Sequence, residues 1–326
     1  MTASEDTIAL RTEDLDVSIL RRGAIVQSVR LRGQAMSLTL GAPKPEDYVD
    51  GPMSHFGAVM GPVANRIRGA SGTIGGRTVR MDANQDGRHA LHSGSAGLNL
   101  KQWDIDAVTR DSVTLSTSAV DGEGGLPGHR VFRARYSVHG TTLIQKLTAT
   151  TDAPTWINLA HHGYWTTQSP TGWSGQRLTI AADRYIPVDD EAIPTGEIAR
   201  VEGTPFDFRG GVTLDASALP PLDHNFCLSD APGPLRVAAR LEGEYGALEI
   251  HTTAPGLQVF GMHKFGIDGP TIHGAAYPVG AALAFEPQMW PDAPGRADWP
   301  GIEVTPSRGY RQITEYRFSA PTALEA

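Results

Sequence analysis

Two adjacent histidines, His161 and His162 in the run NLAHHGYW, and a glutamate, Glu286 in AALAFEPQ, are of residue types suited to proton transfer near neutral pH. An imidazole titrates near ~6.5 and a carboxyl near ~4.3, so modest changes of surroundings let them serve as acid and base together. Spacing separates the two histidines. Read as a strand, TWINLAHH sends successive side chains to opposite faces, with Trp156, Asn158, Ala160 and His162 on one and Ile157, Leu159 and His161 on the other. The second set is the more apolar and is expected to pack, which leaves His162 facing an opening. The same alternation in AALAFEPQ sets Leu283 and Phe285 against Ala282, Ala284 and Glu286. It predicts a carboxylate at a strand end with two small residues clearing space beside it. Taken alone, these residues also fit a buried structural histidine pair and a solvated acid.

Further polar groups join them. Asn65 and Arg66 in GPVANRIRG pair an amide with a guanidinium whose planar fork of donors suits a polar ligand, although a surface arginine fits that residue too. His92 lies at the edge of a loop, where Ser93 and Gly94 predict a tight turn, and Asp223 precedes His224 in PLDHNFCL. Glu286, His162 and His92, with Asp223 and Arg66 as donors and acceptors, form a constellation for reactions that need only proton shuffling. Trp165, Trp173 and Trp290 are candidates to cover an apolar sugar face, against the commoner role of tryptophan as core. The chain has no GxxxxGK[ST], GxGxxG or GxSxG, and no HExxH. A metal held by His89, His92, His161 and His162 matches no standard spacing, so no metal and no other cofactor is expected.

The elements that must position these groups read as strands. Thirty-seven glycines and 23 prolines interrupt the 326 residues too often for long helices. Hairpins are predicted for VSIL with IVQSVRL, over Gly75 and Gly76, and for the run from Phe132 through a turn at His139 and Gly140 into TTLIQKLTATT. Strands are predicted at VTLST, LEIHTT, LQVFGMHK and RQITEYRF. No repeat, low-complexity tract or charge block marks a linker, so residues 1–326 are expected to form one all-β domain.

Composition limits the partners. A net charge of -8 repels phosphate backbones, so nucleic acid is not expected. The single cysteine, Cys227, cannot form an intramolecular disulfide. The start MTASEDTIALRTEDLD has acids where a signal peptide needs positive charge, and no apolar run approaches the ~20 residues of a membrane span. A cytoplasmic protein without membrane contact is the expectation.

Several stretches in order, FGAVMGPVANRI, ALHSG, EGGLPG, NLAHHGYW, RYIPVDDEAIPTGEI with GTPFDFR, LDHNF and FEPQMWPD, resemble the aldose 1-epimerase (galactose mutarotase) family over nearly the whole chain. The resemblance implies a large antiparallel β-sandwich that interconverts the α and β anomers of a free monosaccharide without a cofactor. It implies Glu286 as the base on the C1 hydroxyl, His162 as the acid on the ring oxygen, and His92, Arg66 and Asp223, with the adjacent Asn65, as sugar-binding groups. Pro62, Gly163, Trp165 and the run GMHKF depart from the family's usual residues. These departures leave the sugar open between galactose, glucose and an acidic or substituted sugar reached by Lys264. A non-catalytic carbohydrate-binding sandwich is the alternative, and monomer and homodimer both remain open.

Overall fold

The computed structural model describes residues 6–321, so the first five residues of the acidic start and the far end of the expected 1–326 unit lie outside the described residues. Glycine and proline at short intervals give strands joined by brief 3-10 turns, and no α-helix occurs among the described residues. No helix among the described residues is long and apolar enough to cross a membrane.

Two antiparallel sheets face each other across the main core. The larger has nine strands, in the order Val212–Thr213, Arg177–Ile180, Arg236–Gly243, Gly246–Thr252, Tyr310–Ser319, Thr142–Thr151, Arg130–His139, Ser112–Ala119 and Asp104–Val108. The smaller has six, in the order Gly163–Trp165, Leu283–Gln288, Gly256–Phe260, Asp223–Cys227, Arg184–Ile186 and Ala199–Arg200. Phe132, Ala134 and Tyr136 on the large sheet share a cluster with Phe226, Val259 and Phe285 on the small one, which makes the sandwich anticipated from the sequence. The alternation expected in the hairpin from Phe132 is present, and its turn lies where His139 and Gly140 placed it.

A three-stranded sheet closes one end. Leu15–Leu20 and Val26–Leu31 form the expected opening hairpin, and Thr7–Arg11 adds a strand the sequence reading had not marked. Tyr136 fastens this sheet to the large one: its buried hydroxyl donates to the Ala24 carbonyl at 2.6 Å and accepts from Gln145 at 3.0 Å.

TWINLAHH is not one strand. It holds two strand pieces with different partners, Thr155–Trp156 on Glu303–Val304 and Ala160–His161 on Val59–Met60, and the piece that follows it, Gly163–Trp165, pairs with Leu283–Phe285. The face alternation survives because the backbone stays extended between the pieces. Ile157 and Leu159 enter the main core, whereas Trp156 and Ala160 enter two other clusters.

The EGGLPG stretch braces the turn that carries His92. The buried Arg130 guanidinium donates to the carbonyls of Gly128, Val120 and Glu123 at 3.0, 2.8 and 2.9 Å, drawing the loop into a closed shape. Gly124 then faces Ala96, and Gly125, at φ 75°, lies against the Arg80 carbonyl with no room for a Cβ. Gly125→Ala combines a backbone clash with a left-handed φ and is expected to lower unfolding free energy by more than ~1 kcal/mol in urea denaturation. A midpoint equal to that of the parent would show that this loop does not brace the fold.

Candidate active site

Strand register creates the central pair. Tyr164 lies opposite Ala284 and Gly163 opposite Phe285, so one further step along the two chains brings His162 opposite Glu286 on the same face. His162 Nε2 is 3.5 Å from Glu286 Oε1. Pairing on that side ends at Phe285, and Pro287, which has no N–H to offer, occupies the unpaired stretch. This differs from the sequence expectation in one respect. Glu286 lies inside a strand, and Ala282 and Ala284 are packed in a second core cluster with Tyr164 instead of clearing space. The opening comes from the end of the neighbouring strand.

His161 turns the other way, as alternation required. Its Nδ1 is 3.0 Å from the Tyr316 hydroxyl and its ring packs against Trp165 and Tyr316. Burial pushes its pKa down to about 3.

His92 is held by a reciprocal backbone contact. Its N–H donates to the Asn65 carbonyl at 3.0 Å, and the Asn65 N–H donates to His92 Nδ1 at 3.1 Å. Both residues have left-handed backbones, at φ 52° and 63°, and Asn65 Oδ1 caps its own turn by accepting from the Arg66 N–H at 2.8 Å. With Nδ1 an acceptor, the proton of the neutral ring is assigned to Nε2, making it a donor. The ligating atoms of His92, His162 and Glu286 lie within 4.8 Å of one another. A metal ion would need the lone pair that His92 Nε2 has given up, and the Asn65 N–H opposes the tautomer that restores it. The donor set suits proton transfer and hydrogen bonding.

Asp223 stands on the next strand but one. Gln258 lies opposite Glu286, and its amide donates to Asp223 Oδ1 at 2.8 Å. Asp223 Oδ2 is 3.4 Å from Arg66 Nη2 and 3.3 Å from Lys264 Nζ. Gln85 accepts from Arg66 Nε at 2.8 Å and fixes that side chain. The residues expected at the site thus converge: Asn65, Arg66, His92, His162, Asp223 and Glu286 all line one cleft of about 170 Å³. His224, by contrast, faces Tyr185 and Phe206 away from it.

The tryptophans do not line this cleft. Trp165 and Trp173 lie in the main core and Trp290 packs edge-on to Trp299. Tyr164, Phe260 and Phe265 supply its aromatic wall, and His55 adds a third imidazole, its ring centroid 5.9 Å from that of His162 and 5.6 Å from that of His92. Sequence reasoning missed these and Gln258. Alternation along LQVF carried a signal for Gln258, since its register partner is Glu286, whereas His55 sits in a 3-10 turn that no periodicity marks. A larger cavity of about 430 Å³ opens beside Tyr310, Ile302 and Thr253. It has no histidine and one carboxylate, Glu303, in its lining, so it lacks the paired imidazole and carboxyl that the smaller cleft holds.

Burial dominates the electrostatics. It raises the Glu286 pKa to about 8, helped by the negative Asp223 and opposed by Arg66. His162 and His92 are pushed well below the ordinary imidazole value, first by burial and then by neighbouring rings and Arg66. Burial also acts to raise Asp223, but Arg66 and Lys264 outweigh it and keep that group ionised. Glu286 and His162 therefore share one proton at neutral pH, and the protein interior favours the uncharged arrangement with that proton on the carboxyl.

The model of the aldose 1-epimerase family matches residues 6–317. The galactose mutarotase of Mus musculus is 34% identical over 322 residues, covering 95% of this chain and 93% of that one. The aldose 1-epimerase of Escherichia coli K12 is 30% identical over 321 residues, covering 93% and 92%. Among solved structures, the aldose epimerase homologue from C. elegans superposes with a TM-score of 0.89 at 28% identity, covering 97% of this chain and 99% of that one.

The raised Glu286 pKa has a consequence for stability. Because the folded value near 8 exceeds the ordinary 4.5, the folded protein holds a proton that the unfolded chain releases across that interval. The associated stability is full below the unfolded pKa and is lost as pH rises through the folded one. Glu286→Gln removes this loss, so the difference in unfolding free energy, variant minus parent, is expected to grow between pH 5 and pH 8.5, by about 1.36 kcal/mol for each pH unit of full linkage. A difference independent of pH would contradict a buried, protonated Glu286.

Proposed function

The chain belongs to the aldose 1-epimerase family of carbohydrate isomerases, and on that premise we propose that it interconverts the α and β anomers of a free aldose, with residues 1–326 acting as one catalytic unit. The observation that carries the reading is the 3.5 Å approach of His162 Nε2 to Glu286 Oε1 within a cleft ringed by Arg66, His92 and Asp223. Both oxygens that exchange protons in ring opening are bonded to C1, so their acid and base must be neighbours.

In the proposed mechanism Glu286 carboxylate takes the proton of the C1 hydroxyl while protonated His162 gives its proton to the ring oxygen. The C1–O5 bond breaks, C1 becomes an aldehyde, and the pair is left as carboxylic acid and neutral imidazole. The aldehyde turns about its bond to C2, and reclosure on the other face returns both protons. The charged form that opens the ring and the neutral form that follows differ only in where one proton sits. Burial favours the neutral form, and Arg66 opposes it by favouring the carboxylate. His92 Nε2–H, Asp223 and Arg66 hold hydroxyls and orient the ring.

A glycosidase reading fares less well, since it calls for a second carboxylate free to act beside the first and Asp223 is tied to Gln258, Arg66 and Lys264. A binding module without catalysis predicts that Glu286→Gln keeps sugar affinity and that the parent shows no turnover.

Polarimetry or NMR of freshly dissolved α-sugars tests the assignment. Glu286→Gln and His162→Asn are each expected to slow enzymatic exchange by about 10² to 10⁴. His161→Asn should reduce thermal stability and cost less in turnover. Equal losses for the two histidine variants would refute the division between them, and no acceleration over buffer for any sugar would refute the mutarotase reading.

A further inference from the structure

The cleft carries a positive charge on a protein that is negative overall. Arg66 and Lys264 line it against one ionised partner, Asp223. Glu286 and His162 share a single proton and sum to zero whichever holds it, and burial disfavours charge on His55 and His92. One positive unit remains, in a chain of net charge -8. Within low-dielectric walls such a charge focuses the field on small anions.

The two cations also compete for one oxygen. Arg66 Nη2 and Lys264 Nζ lie 3.4 and 3.3 Å from Asp223 Oδ2, while Oδ1 already accepts from Gln258 at 2.8 Å. A neutral sugar that seeks Asp223 Oδ2 must displace one of them. Arg66 is buried and fixed by Gln85. The Lys264 side chain is 50% exposed and has a flexible four-carbon stem, so it is the one able to move.

We propose that Lys264 is a specificity-determining residue that selects aldoses bearing an anionic group, carboxylate or phosphate, on the exocyclic carbon. The anion engages the Lys264 ammonium and draws it off Asp223, whose freed oxygen accepts from a sugar hydroxyl. A neutral sugar offers the ammonium no such replacement. This narrows the substrate class of the mutarotase reading and rests on it.

The test is kcat/KM for anomer exchange of glucose, galactose, glucuronate and glucose 6-phosphate, each corrected for its own rate in buffer. At least one anion is expected to exceed both neutral sugars by about tenfold or more, with an advantage that shrinks as salt is raised. Lys264→Met should collapse the anionic-to-neutral ratio toward one, and Lys264→Arg should retain most of it. Glucuronate ahead identifies the carboxylate, and glucose 6-phosphate ahead identifies the phosphate. Neutral sugars exchanged as fast as both anions, or a Lys264→Met ratio equal to that of the parent, would overturn the proposal while leaving the mutarotase reading intact. Exchange of no sugar at all would overturn both. Lys264 lies outside the core clusters but is one of the partners of buried Asp223, so Lys264→Met is expected to lower the unfolding midpoint modestly and Lys264→Arg to keep it, and retained exchange of neutral sugars by Lys264→Met separates selectivity from misfolding.

Discussion

The antiparallel register between Gly163–Trp165 and Leu283–Gln288 is the constraint on which the site depends. Backbone hydrogen bonds set that register, and the main core sets which way each residue faces, since Trp165, Leu283 and Phe285 must all point into it. Given those two conditions, His162 and Glu286 have nowhere to meet except on the opposite face. The proposed acid and base are therefore positioned by strand pairing and core packing. Of the groups assigned to the sugar hydroxyls, His92 and Arg66 are held by hydrogen bonds to the loop residues Asn65 and Gln85, whereas Asp223 stands on a strand and is held by Gln258 on the next.

The small sheet is unusual in being covered on both faces. Every residue of Leu283–Gln288 and of Gly256–Phe260 is buried, on one side by the large sheet and on the other by the second cluster and the cleft floor. A carboxyl placed there is far from bulk water, and its raised pKa follows directly. The cost is limited because Asp223, which does ionise, is given Gln258, Arg66 and Lys264 in return. Two left-handed residues, Asn65 and His92, add local backbone strain, of the kind that surrounding structure must hold in place.

Much of this was legible in the sequence because period-2 alternation is a local signal. It separated His161 from His162 even though TWINLAHH and the GYW that follows proved to be three pieces with three partners, since an extended chain keeps its parity when its neighbours change. It also put Glu286 on the face away from Leu283 and Phe285. It could not show that Ala282 and Ala284 are packed, because what covers a strand comes from distant parts of the chain. Nor could it keep the tryptophans out of the site: Trp165 and Trp173 were claimed by the main core, and the wall fell to Tyr164, Phe260 and Phe265. Gln85, His55 and Gln258 were missed for the same reason. Their roles arise from contacts with residues 19 or more positions away, and only Gln258 has a neighbour in register that hints at one.

The doubled imidazole of NLAHHGYW looks like a spare, able to serve if the strand slipped by one position. Facing rules it out. A one-residue slip that brought His161 opposite Glu286 would turn the whole segment over, sending His162 and the Tyr164 hydroxyl into the main core and Trp165 into the cleft. The Tyr316 hydroxyl, now matched to His161 at 3.0 Å, would lose that partner. Neither histidine can stand in for the other while the backbone holds its register, so the imidazole that meets Glu286 is chosen by the hydrophobicity of its neighbours in sequence, Leu159 and Trp165 above all.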